Sequence, residues 1–297
     1  MDVNFHILAE ALSTLIGQTV ILQSEVLDTD EAIKLDVTNL PAAVLLNDEA
    51  IGLWAYLALL LRRLLVDDEE QTRGANTGAT QGAKPGATQG AKPVPTKTPG
   101  TKSAIPSGRK VLFVIPEEFF DPKYDFDFTH KSKSKSDSAC KRGDESYMRP
   151  YGWKRFALKV GDKYPDGKTW LGTGGWRNKS SPGEWPVSYH GTDLKGAEGI
   201  TKTNYQAGTR EKYGRGIYST PNIKVADDYA NEKRFRSKTN GKTYKVIMQN
   251  RIHPDKRIKT TRTDYWLVPI PDGASAEKEK EIVESSIRPY GILLKEV

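Results

Sequence analysis

Between Val187 and Ala230 three ring-bearing side chains stand close to glycines. His190 precedes Gly191, Tyr218 follows Gly214 and Gly216, and Tyr229 comes 11 residues after Tyr218. Such a set suits a flat, positively charged ring held against the main chain. A glycine at a strand end lets a ligand reach backbone N–H and C=O groups, which can then pair with an amide. Tyrosine faces on either side of a cationic ring would each contribute about 0.5–2 kcal/mol of stacking and cation–π attraction. Taken one at a time, these residues read as an ordinary strand-end histidine and two core tyrosines. Their order and spacing beside two glycine turns favour a site.

Local composition indicates the elements that must hold them. Trp185-Pro-Val-Ser-Tyr189 has the β-branched and aromatic content of a strand, which His190-Gly191 ends. Gly214-Arg-Gly216 is a tight turn into a second short strand, Ile217-Tyr-Ser219. Pro221-Asn222 opens a helix, because proline is tolerated in a first turn, and Val225, Ala226 and Tyr229 fall on one face of it. Tyr218 and Tyr229 are thereby expected to face each other across a gap one ring wide.

His190-Gly-Thr192, Gly214-Arg-Gly-Ile-Tyr218 and Ala226-Asp-Asp-Tyr229 together resemble the nicotinamide-binding core of one branch of ADP-ribosyltransferases. This is the poly(ADP-ribose) polymerase-like, or diphtheria-toxin-like, branch, which carries a His-Tyr-Glu triad on a split β-sandwich. The likeness covers roughly residues 147–297, about half the chain. It implies NAD as co-substrate, with no metal. It also implies that the His190 side chain bonds the adenosine ribose, that the Gly191 backbone within the His190-Gly-Thr192 motif holds the nicotinamide amide, and that Tyr218 and Tyr229 wall the nicotinamide slot. The triad glutamate corresponds to Asp264 in Thr263-Asp-Tyr-Trp-Leu-Val268, so the implied catalytic set is His190, Tyr218 and Asp264. A carboxylate there would stabilise the positive charge that develops on the ribose as the glycosidic bond breaks. Ala226 stands where the family often has a serine that helps hold the amide, so Ser219 or a water is expected to take that part.

The activity this resemblance implies is transfer of ADP-ribose from NAD to a macromolecular acceptor, with release of nicotinamide. Mono-ADP-ribosylation is expected, because chain growth in the family uses the triad glutamate to orient an acceptor ribose and an aspartate is one methylene shorter. The short loop Thr201 to Lys212 would leave the site open to such an acceptor. The alternative is a catalytically inactive version of the same fold that binds NAD, ADP-ribose or a protein.

The whole chain sets further bounds. With 297 residues, 37% hydrophobic and 28% charged, two domains of ordinary soluble composition are expected. Cys140 is the single cysteine, which excludes a disulfide framework and any cysteine-rich zinc site. Met1 to Glu10 lacks a basic leader region, so a cytoplasmic or nuclear location is expected. Residues 1–70 hold 3 Lys/Arg against 13 Asp/Glu, a net of −10, so within the total of +7 the remainder carries +17. That excess leaves a nucleic-acid partner open beside a protein acceptor.

Residues 1–70 read as an acidic, all-helical segment. Val3, Ile7, Leu8, Leu12, Leu15 and Ile16 recur at helical spacing, and a second helix is expected over 48–66. Its apolar run, Ile51 to Leu61, is too short to span a bilayer, which needs about 20 residues. A buried helix in a small bundle is the favoured reading of this run, and self-association or partner binding is the sharper function expected of the segment. Residues 71–106 read as a flexible, disordered linker, in which Gly78-Ala-Thr-Gln-Gly-Ala-Lys-Pro85 recurs unchanged as residues 86–93.

Residues 107–297 read as the α+β transferase-like domain, with its core at 147–297. Strands are expected at Lys110–Ile115, at Thr243–Gln249, at Tyr265–Val268 and at Tyr290–Leu294, the segment Arg149 to Val160 leads into a further strand, and a solvated helix is expected around Glu277–Glu281. The alternating lysines of residues 131–135 and the loop histidine His253 read as solvated and structural respectively.

Overall fold

The computed structural model describes residues 5–16, 19–25, 32–36, 110–132, 139–161, 163–172, 180–191, 213–232, 234–261 and 264–297. The chain begins with helix α1 (Phe5–Ile16), strand β1 (Thr19–Leu22) and strand β2 (Ala32–Asp36). Strand β3 (Lys110–Ile115), the short β4 (Phe126–Asp127), the β5 (Lys141–Arg142) and β6 (Glu145–Ser146) hairpin and β7 (Lys154–Ala157) follow. Then come β8 (Val187–Gly191), β9 (Gly216–Ser219), α2 (Ile223–Glu232) and β10 (Phe235–Arg236). The long β11 (Thr243–Ile252), β12 (Ile258–Lys259), β13 (Trp266–Pro269), α3 (Ala276–Ser286) and β14 (Ile287–Glu296) complete a mixed α+β fold.

The largest sheet runs β10-β11-β14-β7-β4, with β8 also paired to β11, and these strands pair antiparallel. Its spine is β11, whose apolar run Val246-Ile-Met248 is buried between β14 on one edge and β8 on the other. One cation on that spine, Arg251, is also buried. Its two Nη atoms donate to Glu184 Oε1 at 2.9 Å, Trp185 O at 2.6 Å and Leu171 O at 2.8 Å, as a charge removed from water requires partners. A second antiparallel sheet has the order β12-β13-β9. The two sheets meet where Tyr189 and Thr220 exchange main-chain hydrogen bonds of 2.7 and 2.9 Å.

The expectation of an all-helical N-terminal segment is corrected. α1 forms as the apolar spacing requires, burying Leu8, Ala11, Leu12 and Leu15. Beyond it the chain turns to strands, because Thr19-Val-Ile-Leu22 is a β-branched run with alternating burial. β1 and β2 flank β3 as a parallel sheet of order β1-β3-β2, with Val20 opposite Phe113 and Leu35 opposite Phe113 on the other edge.

The expected division at residues 70 and 107 is therefore crossed by strand pairing. α1 also joins the same hydrophobic core as β8, β11 and β14. Glu10 Oε1 accepts the backbone N–H groups of Lys238 and Thr239 at 3.0 and 3.3 Å. Residues 37–109 thus leave one sheet after β2 and re-enter it at β3, as a parallel pair requires. The expected 48–66 helix and the 71–106 linker lie outside the described residues, as do Lys133 and Lys135. Among the described residues no helix is long and apolar enough to cross a membrane.

If β1 and β2 belong to the sheet built on β3, the covalent connection between them is dispensable for folding. Co-expressed as two chains, residues 1–45 and 100–297 should copurify, and Leu12→Asp in the shorter chain should abolish copurification. Failure of the unsubstituted pair to associate would refute this placement.

Candidate functional site

β8, β9, α2 and the start of β13 converge at the junction of the two antiparallel sheets. Tyr189 pairs with Thr220 at this junction, and one residue further along each strand the ladder opens. The His190 ring fills the opening. Its Nδ1 lies 2.8 Å from the carbonyl oxygen of Tyr218. A carbonyl only accepts, so Nδ1 is the donor in this bond. His190 is 2% exposed, so the imidazole is an interior strut as well as a polar group.

Two glycines make the convergence sterically feasible. Gly216 has φ 155°, and a Cβ there would lie 2.1 Å from the Val268 carbonyl oxygen, so only glycine lets β9 start beside β13. A Cβ on Gly191 would stand 2.8 Å from Ala226 O and 3.0 Å from Tyr229 Cβ. Helix α2 thus sits directly against the end of β8, and Tyr229 springs from the point of contact. Ala226, fully buried, fits beneath Gly191.

Tyr218 and Tyr229 are both half-buried and are held by different groups. The Tyr218 hydroxyl donates to Gly214 O at 2.7 Å, closing the turn that precedes its own strand. Burial, and then the neighbouring Tyr213, pushes the Tyr218 phenol above its ordinary value, so it is uncharged at neutral pH. The hydroxyl of Tyr229 meets that of Tyr265 at 2.8 Å. Asp264, half-buried, immediately precedes Tyr265 at the entry to β13, where Trp266 pairs with Ser219. By register Asp264 lies beyond Ser219, toward Thr220, on the strand that pairs with the one carrying Tyr218. Ser219 is placed differently. It alternates with Tyr218 along β9, is fully buried and has no hydrogen-bond partner, so its hydroxyl faces the interior, away from the Tyr218 ring. Thr192 and the loop 201–212 lie outside the described residues.

Three residues that make contacts beside the candidate site were not singled out from the sequence. Arg215, inside the glycine turn, ion-pairs with Glu279 of α3, and its Nη1 donates to Pro271 O at 2.8 Å. Glu279 is buried, so α3 is not solvated all round as expected. Asp227 anchors α2 to the large sheet through Lys245 at 2.6 Å and Lys295 at 3.0 Å. Tyr265 is the third. The one available signal was adjacency: each lies within or beside a motif that carries a candidate residue.

A groove of about 730 Å³ opens at the opposite end of β8, lined by Glu184, Trp185, His253 and Arg257 among others. None of the sequence-predicted site residues lines it. Its buried carboxylate is already matched, Glu184 pairing with Arg251 and Arg142, while Glu145 pairs with Arg257 and Lys259. Among the described residues there is no group of three or more His, Cys, Asp or Glu side chains that could hold a metal ion. No protein-family model, no curated protein and no solved structure matches the chain.

The packing yields two expectations. Gly191→Ala should cost about 1–3 kcal/mol in a thermal or denaturant melt, because backbone atoms block the new methyl group; an unchanged melt would show that α2 does not press on β8. The second concerns Asp227. Burial raises its carboxyl, but the hydrogen bonds and charges of Lys245 and Lys295 outweigh this and hold it below the ordinary value. A depressed carboxyl contributes stability above its unfolded value, near 4, and loses it as the pH falls through the folded value. Asp227→Asn should therefore lower the Tm at pH 7 and flatten the fall in Tm below about pH 4.

Proposed function

We propose that the chain is an NAD-dependent ADP-ribosyltransferase that moves a single ADP-ribose unit to a macromolecular acceptor and releases nicotinamide. The observation that carries this reading is the convergence of His190, Gly191, Tyr218 and Tyr229 where β8, β9 and α2 meet. They occur in the chain order of the resemblance, and Asp264 immediately precedes Tyr265 at the entry to β13, the strand paired with β9. The two antiparallel sheets joined at Tyr189 and Thr220 are read as the halves of a split β-sandwich.

In this reading the His190 side chain bonds a hydroxyl of the adenosine ribose. The nicotinamide ring lies between Tyr218 and Tyr229, whose uncharged faces attract it while it is cationic and lose that attraction once it leaves neutral. Departure of nicotinamide takes the electron pair of the glycosidic bond and leaves positive charge on the ribose. The Asp264 carboxylate stabilises that charge more than it does the ground state, which is the condition for lowering the barrier. A nucleophile of the acceptor then bonds the anomeric carbon and releases its proton to solvent. Because Ser219 faces inward, the amide is held by the Gly191 backbone or by water.

Purified protein incubated with labelled NAD should release nicotinamide and acquire label. Tyr218→Ala and His190→Ala should abolish both, and Asp264→Asn should slow release about 10²–10³-fold while NAD still binds. Equal release from wild type and Asp264→Asn would sink the catalytic reading. NAD binding without release would favour the inactive relative, and Asp264→Glu would then show whether a longer carboxylate restores activity.

A further inference from the structure

Tyr265 has no part in the site as read from the sequence, yet it touches both halves of it. Its hydroxyl lies 2.8 Å from that of Tyr229, and the two rings meet edge to face, with centroids 6.4 Å apart at 78°. Its main chain is fixed independently. The Tyr265 carbonyl accepts from both the backbone N–H and the hydroxyl of Thr260, each at 3.1 Å, and Thr260 is itself buried at the end of β12. Asp264 is its immediate neighbour in the chain.

We propose that Tyr265 is a positioning residue that sets the angle of the Tyr229 ring and locks it to the strand end bearing Asp264. The inference rests on the reading of this site as a nicotinamide slot. Tyr229 is fixed at its base, where its Cβ presses on Gly191, but a tyrosine fixed only at its base still turns about χ1 and χ2. The bond at its tip removes that freedom, so the ring presents one face in one plane. A wall ordered before binding costs the ligand less entropy than one that must be ordered by it. The same bond couples the wall to Asp264. The spacing between the leaving ring and the carboxylate is then set by the short path Tyr229–Tyr265–Asp264, a constraint of particular weight where the carboxylate is an aspartate with little reach of its own.

The test uses the full-length chain with Tyr265→Phe, Tyr229→Phe and the double variant. Steady-state nicotinamide release, NAD affinity by calorimetry and the Tm are measured for each. Both single changes keep the ring and delete the same bond. Each should therefore raise KM and Kd for NAD about 3–10-fold, the range of one net hydrogen bond, and change kcat less. The double variant should be no worse than the poorer single one, because the bond can be lost only once. A purely structural tyrosine would lower the Tm and leave KM and Kd unchanged. Active wild type with unaltered NAD affinity in Tyr265→Phe, or additive effects in the double variant, would overturn the inference alone. A wild type that neither binds NAD nor releases nicotinamide would overturn the reading of the site, and the inference with it.

Discussion

The hydrogen bond from His190 Nδ1 to the Tyr218 carbonyl replaces a ladder bond at the place where two sheets separate. Tyr189 and Thr220 still pair through the backbone, and beyond them β8 continues along β11 while β9 continues along β13. A separation of strands in the interior leaves backbone groups without partners, which is costly unless another group supplies the bond. The imidazole supplies it through Nδ1. The placement of the imidazole is thus a by-product of how the sheets are joined.

Close backbone approach has a similar double effect. Gly191 admits α2 to within contact of β8, and Gly216 admits β9 to β13; a side chain at either place would push apart the elements that carry Tyr229 and Tyr218. Electrostatic ties then fix what the glycines permit. Asp227 holds α2 to β11 and β14 through two lysines, and Arg215 holds the turn before β9 to α3 through Glu279. These ties are only partly exposed, so they orient the elements where a fully solvated pair would contribute little.

The N-terminal residues are part of the same object. α1 packs into the core that backs β8 and β11, and Glu10 caps the 237–240 turn just before β11. The strand that carries the register of β8 is therefore braced from the far end of the chain. Residues 1–70 carry a net charge of −10 and the rest +17. Charge is a property of the surface, however, and the apolar face of α1 decides where that helix sits.

The sequence by itself determined most of the elements around the site. β8, β9, α2, β11, β13 and β14 all form within a few residues of where β-branched runs, glycine turns and helical spacing placed them, since these signals are local. It also put forward His190, Gly191, Tyr218 and Tyr229 as candidates, because their types and spacing fall within one short stretch. What it could not carry was partnership across distance. Tyr265 opposite Tyr229, Glu279 against Arg215, β3 between β1 and β2, and Ser219 turned inward each depend on which residues meet after folding. The tertiary structure decided these, because strand register and packing select partners from residues that have no neighbourhood in the chain.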